Sequence, residues 1–269
     1  MISVITATYN DAPFIEETIE SVANQSFDDW EWIIVINGSS DKTLEILSGL
    51  KDSRIRIITL PYNLGVSAGR NKGLEVMQGD YFCFLDGDDL LPENSLSARL
   101  AVFQSNPDIE FVDGKVISFM NTIDHQIDTY VPAFQGDPLQ ELLSLSGSVF
   151  KGNTWMIKKV EEKKYAFLDG LTHGEELLFY ASVANSGLYD YTETPILYYR
   201  RHENSAMKNV IKLAKGYLMI GEELTKLPFI SQYQLSKYKV NAALISLKSL
   251  LKDKKPVAAV MYYLKIKWL

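Results

Sequence analysis

Asp86-Gly87-Asp88-Asp89 stands directly after the apolar run Tyr81-Phe82-Cys83-Phe84-Leu85. On extended backbone, side chains two residues apart project the same way, so Asp86 and Asp88 can share one ligand. Their hard oxygen donors suit Mg²⁺ or Mn²⁺, and so small a donor set leaves coordination positions for waters and phosphate oxygens. The competing reading is a solvated acidic turn, with Asp89 capping a helix that starts after Pro92. Arg70 carries a planar donor fork that fits phosphate or a base carbonyl; alternatively it is a surface cation near Glu75. Thr172-His173-Gly174-Glu175 has the spacing of a capping box, in which Glu175 reaches back to the Thr172 amide and so has a structural job.

These groups need a frame. The first third of the chain alternates strand-like apolar runs with segments of helical period, the pattern of a parallel sheet wound with helices. Strands are expected at residues 2–6, 32–36, 55–59 and 81–85, the last buried on both faces. Helices are expected from Asp11 and Pro13 through Val22, through Leu44 and Leu47, over 66–77, and after Pro92 to about Phe103. Asp86 and Asp88 then lie at a strand's carboxyl end, where ligands of open α/β sheets bind. Beyond that point the pattern becomes mixed. Two strands are expected at 109–112 and 115–120, mostly loop over 121–146 with one short helix near 139–143, then strands at 148–157 and 195–199 flanking a helix over 174–184. From Lys208 only helical patterns remain, over 208–226, 232–251 and 256–268.

The chain has 269 residues, 46% hydrophobic and 23% charged, within the range of ordinary globular proteins. One cysteine, Cys83, excludes a disulfide framework and a cysteine zinc cluster and fits a reducing compartment. No basic leader precedes the first strand, so the mature chain is expected to start at Met1. The net charge of −7 is unevenly spread. Residues 1–207 carry 15 Lys and Arg against 31 acids, or −16, and residues 208–269 carry 12 Lys against 3 acids, or +9. The acidic body argues against nucleic acid; the cationic tail could meet anionic lipid, an acidic partner or the body itself.

Four stretches occur in order: Ser3-Val4-Ile5-Thr6-Ala7-Thr8-Tyr9-Asn10; Asn37-Gly38-Ser39-Ser40-Asp41; Asn63-Leu64-Gly65-Val66-Ser67-Ala68-Gly69-Arg70-Asn71-Lys72-Gly73; and Phe84-Leu85-Asp86-Gly87-Asp88-Asp89. Together they resemble glycosyltransferase family 2, closely over residues 1–105 and more thinly to about 206. Gly174-Glu175-Glu176 is similar to the family's Glu-Asp pair, and Tyr198-Tyr199-Arg200-Arg201-His202-Glu203-Asn204-Ser205 to its Tyr-Arg-x-His-x-x-Ser ending. The resemblance implies a GT-A fold, a doubly wound mixed α/β sheet, and an inverting, metal-dependent transfer from a nucleotide-diphosphate sugar. It implies that Thr8 and Tyr9 line the nucleobase, that Asp86 belongs to the ribose and metal environment, and that Asp88 binds Mn²⁺ or Mg²⁺, with His202 beside the diphosphate and metal. Arg70 and Arg200 are expected on the nucleotide sugar. Asn37 replaces the family's usual Asp; its side-chain oxygen can still accept the N3–H of uracil, but its amide can also donate, which leaves thymine and guanine donors open. Glu176 aligns with the family's catalytic Asp and lies at a helix start whose dipole favours the ionised form; Glu175 and the loop residue Asp169 are the alternatives.

The expected organisation is a GT-A domain over 1–207, its donor half 1–105 and its acceptor half 106–207, followed by a Lys-rich helical extension over 208–269. The first strand lacks the Gly-x-Gly-x-x-Gly turn of a dinucleotide oxidoreductase, reading Thr8-Tyr9-Asn10-Asp11 instead. A catalytically silent nucleotide- or sugar-binding protein of the same fold is the remaining rival. The resemblance implies a UDP-sugar donor, a glycan or lipid-linked glycan acceptor in bacterial surface polysaccharide, capsule or lipopolysaccharide synthesis, and a cytoplasmic location at the inner membrane face. Acceptor selection is expected in the 121–146 loop and around Asn153 to Trp155. The last segment, Val257 to Leu269, reads either as an interfacial helix on anionic membrane or as a helix burying Val257, Val260, Met261 and Leu264 against protein, including a homodimer partner.

Overall fold

The computed structural model describes residues 1–171, 173–202 and 209–269. One eight-stranded sheet organises them, its strands β1 (Ile2–Thr8), β2 (Trp30–Asn37), β3 (Ile55–Leu60), β4 (Tyr81–Phe84), β5 (Ile109–Met120), β6 (Thr122–Tyr130), β7 (Met156–Lys158) and β8 (Leu188–Arg201) lying in the order β3-β2-β1-β4-β7-β5-β6, with β8 also paired to β5. β1, β2, β3 and β4 run parallel. The chain moves outward from β1 to β3 and then returns to place β4 on the other side of β1. That reversal is a topological switch point, and the crevice it leaves lies at the carboxyl ends of β1 and β4.

Alternation along the strands sends side chains to two cores. Trp32, Ile34 and Ile36 of β2 face one, with α1 (Ile15–Ala23), α2 (Thr43–Ser48) and α4 (Ser95–Ser105). Ile33 and Val35 face the other. On that side lie α3 (Val66–Val76), α5 (Leu139–Ser144) and α6 (Glu175–Val183). Helix α3 sits very close to β1: a Cβ on Gly69 would come within 2.7 Å of the Ala7 Cβ. The glycine therefore serves helix–strand packing, and it sets the depth at which the next residue, Arg70, enters the sheet's edge.

The second half departs from the sequence expectations in places. The two strands expected at 109–120 are one, β5 (Ile109–Met120), whose register against β8 shifts around Gly114 and Lys115. Part of the expected loop is β6 (Thr122–Tyr130), an exposed strand antiparallel to β5. The strand expected at 148–157 shrinks to β7 (Met156–Lys158), because Trp155 and Val149 are buried from a loop, with Trp155 stacked on Tyr180 at 4.3 Å. β8 (Leu188–Arg201) is longer than the 195–199 expected.

The tail is α7 (Val210–Leu224), α8 (Gln232–Lys252) and α9 (Pro256–Lys267). Ser231 and Gln234 form a reciprocal capping box that starts α8. Ile220, Leu224, Leu235, Tyr238 and Ile266 join the same core as α5 and α6, so the three helices complete the sheet's second face. None of the described helices is long and apolar enough to cross a membrane.

Gly69→Val is expected to push α3 off β1 and destabilise the fold by about 2 kcal/mol, the range for overpacking a close contact. Thermal unfolding checks this; an unchanged midpoint would show that the helix has room to move.

Candidate functional site

The carboxyl ends of β1, β4 and β8 and the amino end of α6 converge on the crevice. At the end of β1, Asn10 takes a left-handed conformation, φ 59°, and its side-chain oxygen accepts the Ser40 amide at 2.8 Å, tying β1 to the loop after β2. Asp11 accepts the Thr8 hydroxyl at 2.8 Å and the Tyr9 amide at 3.2 Å. Thr8 is thus buried and its hydroxyl engaged, whereas Tyr9 projects half-exposed. Gly87 passes so close to Asp11 and Thr8 that any side chain there would collide with the Asp11 carboxylate. Burial lifts Asp11 to about 6, with the charges of Asp88 and Asp86 adding to the effect.

Five of the expected residues come together, three in a bridge and two in a pair. Arg70, 2% exposed, donates from Nη2 to Asp86 Oδ1 and from Nη1 to Glu176 Oε1, both at 2.9 Å. Burial works against its charge, and Asp86 and Glu176 outweigh that opposition. Its guanidinium also lies 5.2 Å from the centre of the Phe167 ring, which stacks on Phe179 of α6. Asn71, the next residue, exchanges two hydrogen bonds with the Phe167 backbone, at 2.7 and 2.9 Å. The surface-cation reading of Arg70 is therefore corrected; the exposed partner of Glu75 is Lys72.

Asp88 Oδ2 and His202 Nε2 are 2.9 Å apart, each about a quarter exposed. Burial raises the Asp88 carboxyl above its ordinary range, the Asp86 charge adds to this, and His202 opposes it. A carboxylate oxygen and an imidazole nitrogen within hydrogen-bond distance, with Asp86 alongside, are donors that fit Mn²⁺ or Mg²⁺. Among the described residues no group of three or more His, Cys, Asp or Glu that could hold a metal ion is assembled.

Other expected residues are engaged within the protein. Asn37 donates to Gly65 O at 2.8 Å and Asn63 Oδ1 at 3.2 Å and accepts the Leu64 amide at 3.0 Å, shaping the loop before α3. With Ala7, Tyr9, Gly65, Ser67 and Leu171 it borders a cleft of about 390 Å³. Arg200 is buried between Phe14 and Phe119; it donates to the Asp88 carbonyl at 2.8 Å and to Glu17 at 2.9 Å. It braces the acidic turn from behind. Asp89 does not cap the next helix, which starts at Ser95; its carboxylate accepts the Arg200 amide at 2.8 Å.

The third helical position expected for Glu175 is corrected. Helix α6 begins at Glu175 itself, because Gly174 occupies the cap in a left-handed conformation, φ 82°. Thr172 lies outside the described residues, as do Glu203, Asn204 and Ser205 of the last motif. The Glu175 carboxyl is buried, and among the described residues its Oε2 has no hydrogen-bond partner. Burial, then the Glu176 charge, raises it from 4.5 to about 7. No signal in the sequence pointed to this or to the part Asp11 plays.

The sequence model of glycosyl transferase family 2 matches residues 3–163. A Bacillus subtilis protein named for a provisional role in teichuronic acid biosynthesis, the glycosyltransferase TuaG, is 30% identical over 233 residues, 86% of this chain and 90% of its own. WfgD of Escherichia coli, a UDP-Glc:α-D-GlcNAc-diphosphoundecaprenol β-1,3-glucosyltransferase, is 32% identical over 114 residues, 42% of this chain and 45% of its own. Among solved structures, Staphylococcus aureus TarS 1–349 in complex with UDP-GlcNAc superposes with a TM-score of 0.74 at 17% identity, covering 98% of this chain and 81% of that one. The mannosyltransferase PcManGT of Pyrobaculum calidifontis, in complex with GDP-Man and Mn²⁺, gives 0.64 at 16% identity, over 97% and 77%. The structural likenesses show the same fold, GT-A.

The raised Glu175 predicts a pH signature. Between about pH 4.5 and 7 the folded chain holds a proton that the unfolded chain has released, so stability falls through that window and is lowest above it. Glu175→Gln should raise the unfolding midpoint at pH 8, by on the order of 2 kcal/mol in stability, and change it little near pH 4.5. An equal shift at both pH values would contradict a proton held at Glu175.

Proposed function

The chain belongs to glycosyltransferase family 2, and from that premise we propose that it transfers a sugar, with inversion, from a UDP-sugar to a glycan or lipid-linked glycan acceptor in surface polysaccharide synthesis. The observation that carries the reading is the Arg70 bridge, which holds a candidate base, Glu176, and a donor-side carboxylate, Asp86, on one guanidinium. The proposed donor half is 1–105 and the acceptor half 106–207, with the helices from 208 onward as an extension; the junction at 207 and 208 lies outside the described residues. UDP-glucose and undecaprenol-linked GlcNAc in WfgD's name, and UDP-GlcNAc bound to TarS, support this donor and acceptor class. A lipid-linked acceptor would put the reaction at the inner face of the cell membrane.

The nucleobase would enter the cleft beside Tyr9 and Asn37. Since Asn37 already accepts the Leu64 amide, uracil would meet a loop that Asn37 shapes as much as Asn37 itself. Asp88 and His202 would hold Mn²⁺ or Mg²⁺, which when bound supplies positive charge next to the departing diphosphate. Glu176 takes the proton of the acceptor hydroxyl as that oxygen attacks the anomeric carbon and the bond to the diphosphate breaks. Arg70 holds one oxygen of Glu176 and aims the carboxylate, leaving its second oxygen for the proton. Glu175 as base is the second reading, favoured by its carboxyl at about 7 and an oxygen without a partner. Against it stands access, since Glu176 is the more exposed of the two carboxylates.

Asp88→Ala should leave the fold intact and cut metal-dependent donor turnover by about 100-fold or more, the scale of losing one charge-stabilising group. Full turnover in wild-type protein under chelator would remove the metal from the account.

Glu176→Gln should retain UDP binding and lose about 100-fold or more of the transfer rate, whereas Glu175→Gln stays active. The reverse pattern would exchange their roles. A wild-type protein that binds UDP-sugars, seen as a rise in unfolding temperature, yet turns over none would be the silent binding protein instead.

A further inference from the structure

Helices α8 and α9 each carry an apolar stripe that no described residue covers. Helix α8 buries Leu235, Tyr238, Ala242 and Leu250, and on its opposite side Tyr233, Val240, Leu244 and Leu251 are exposed at helical spacing. Helix α9 buries Ala259 and Ile266 and exposes Val257, Val260, Met261, Leu264 and Trp268. The exposures of Val257 and Trp268, 84% and 78%, correct the alternative in which this face packs on the protein's own body.

At 100° per residue, Lys265 and Lys267 fall on the two borders of the α9 stripe, and Lys237 and Lys248 on one border of the α8 stripe. From 232 to 269 there are 8 Lys and one acid, Asp253, a charge of 8 − 1 = +7. Two copies meeting through this face would set lysine rows against each other with almost no carboxylate to pair them. A bilayer with acidic lipids offers what the face lacks, hydrocarbon beneath and phosphates above. Apolar residues at the apex, lysines that reach outward from the borders and a terminal Trp match that order of layers.

We infer that the α8–α9 face is a docking surface for an anionic lipid bilayer, holding the protein flat on the membrane with α9 in the interfacial layer. The inference deepens the proposed membrane-side reaction and rests on it for its purpose, but its test does not read transfer.

Full-length protein is centrifuged with vesicles of equimolar phosphatidylglycerol and phosphatidylcholine, and with phosphatidylcholine alone. The bound fraction should be high on the first, at least tenfold lower on the second, and reduced by high salt. Leu264→Glu with Val260→Glu, both exposed and so tolerable to the fold, should lose binding at least tenfold while keeping the wild-type unfolding temperature. Lys265→Glu with Lys267→Glu should behave alike. Equal, negligible pelleting of wild type and variants overturns the inference. So does a wild-type dimer in gel filtration that the Leu264→Glu pair dissociates without any vesicle binding, which would make the face an interface between copies. Pelleting by a protein that transfers no sugar would sink the proposed reaction and leave the docking surface standing.

Discussion

A guanidinium buried to 2% exposure has to be neutralised where it sits, and much of the candidate site follows from how Arg70 meets that requirement. Its two partners come from opposite halves of the chain. Asp86 is the first residue of the acidic turn after β4, and Glu176 lies in the first turn of α6, 106 positions beyond Arg70. Removing either carboxylate leaves a buried charge half-compensated, so the sheet's carboxyl edge and the second-half helix are locked together by electrostatics as well as by apolar packing. The planar fork matters: two parallel donors fix the angle between the carboxylates, which a single ammonium could not do.

The rest of the architecture sets the depth of that residue. Gly69 allows α3 to lie against Ala7, the Phe167–Phe179 stack gives the guanidinium an aromatic bed, and Asn71 clamps the loop that carries Phe167. A second support works from the far side. Arg200, pinned between two phenylalanines, holds the Asp88 carbonyl and reaches Glu17 of α1, so the acidic turn is braced by β8 as well as by α3. The tail contributes through α7: a side chain on Gly174 would strike Ile220, and the glycine's left-handed turn is what delivers both glutamates into the crevice.

The parallel half was legible because its signals are local. Strands buried on both faces read as unbroken apolar runs, and the helices between them carry clear period and start signals, so β1 to β4 and α1 to α4 lie within a few residues of expectation. β6 escaped because its residues are nearly all exposed and show no buried alternation, while the strand expected before Trp155 failed because that apolar run is buried by packing from a loop. The metal-site candidates were visible as residue types, and the structure brings Asp88 and His202 together across 114 positions. What sequence could not show was competition among partners. Glu175 stands at the first rather than the third position of its helix because a neighbouring glycine takes the cap, and polar atoms of Asn37, Thr8 and Arg200 are engaged by the protein's own backbone and carboxylates.

The central claim is that the ends of β1 and β4, the end of β8 and the start of α6 form one donor site around Arg70. Diffraction from crystals soaked with UDP and Mn²⁺, with manganese located by anomalous scattering, tests it most directly. A manganese peak contacting Asp88 and His202, uracil in the cleft beside Tyr9 and Asn37, and an intact Arg70 bridge to Asp86 and Glu176 are expected. Nucleotide bound in another crevice, or bound here with manganese elsewhere, would contradict it.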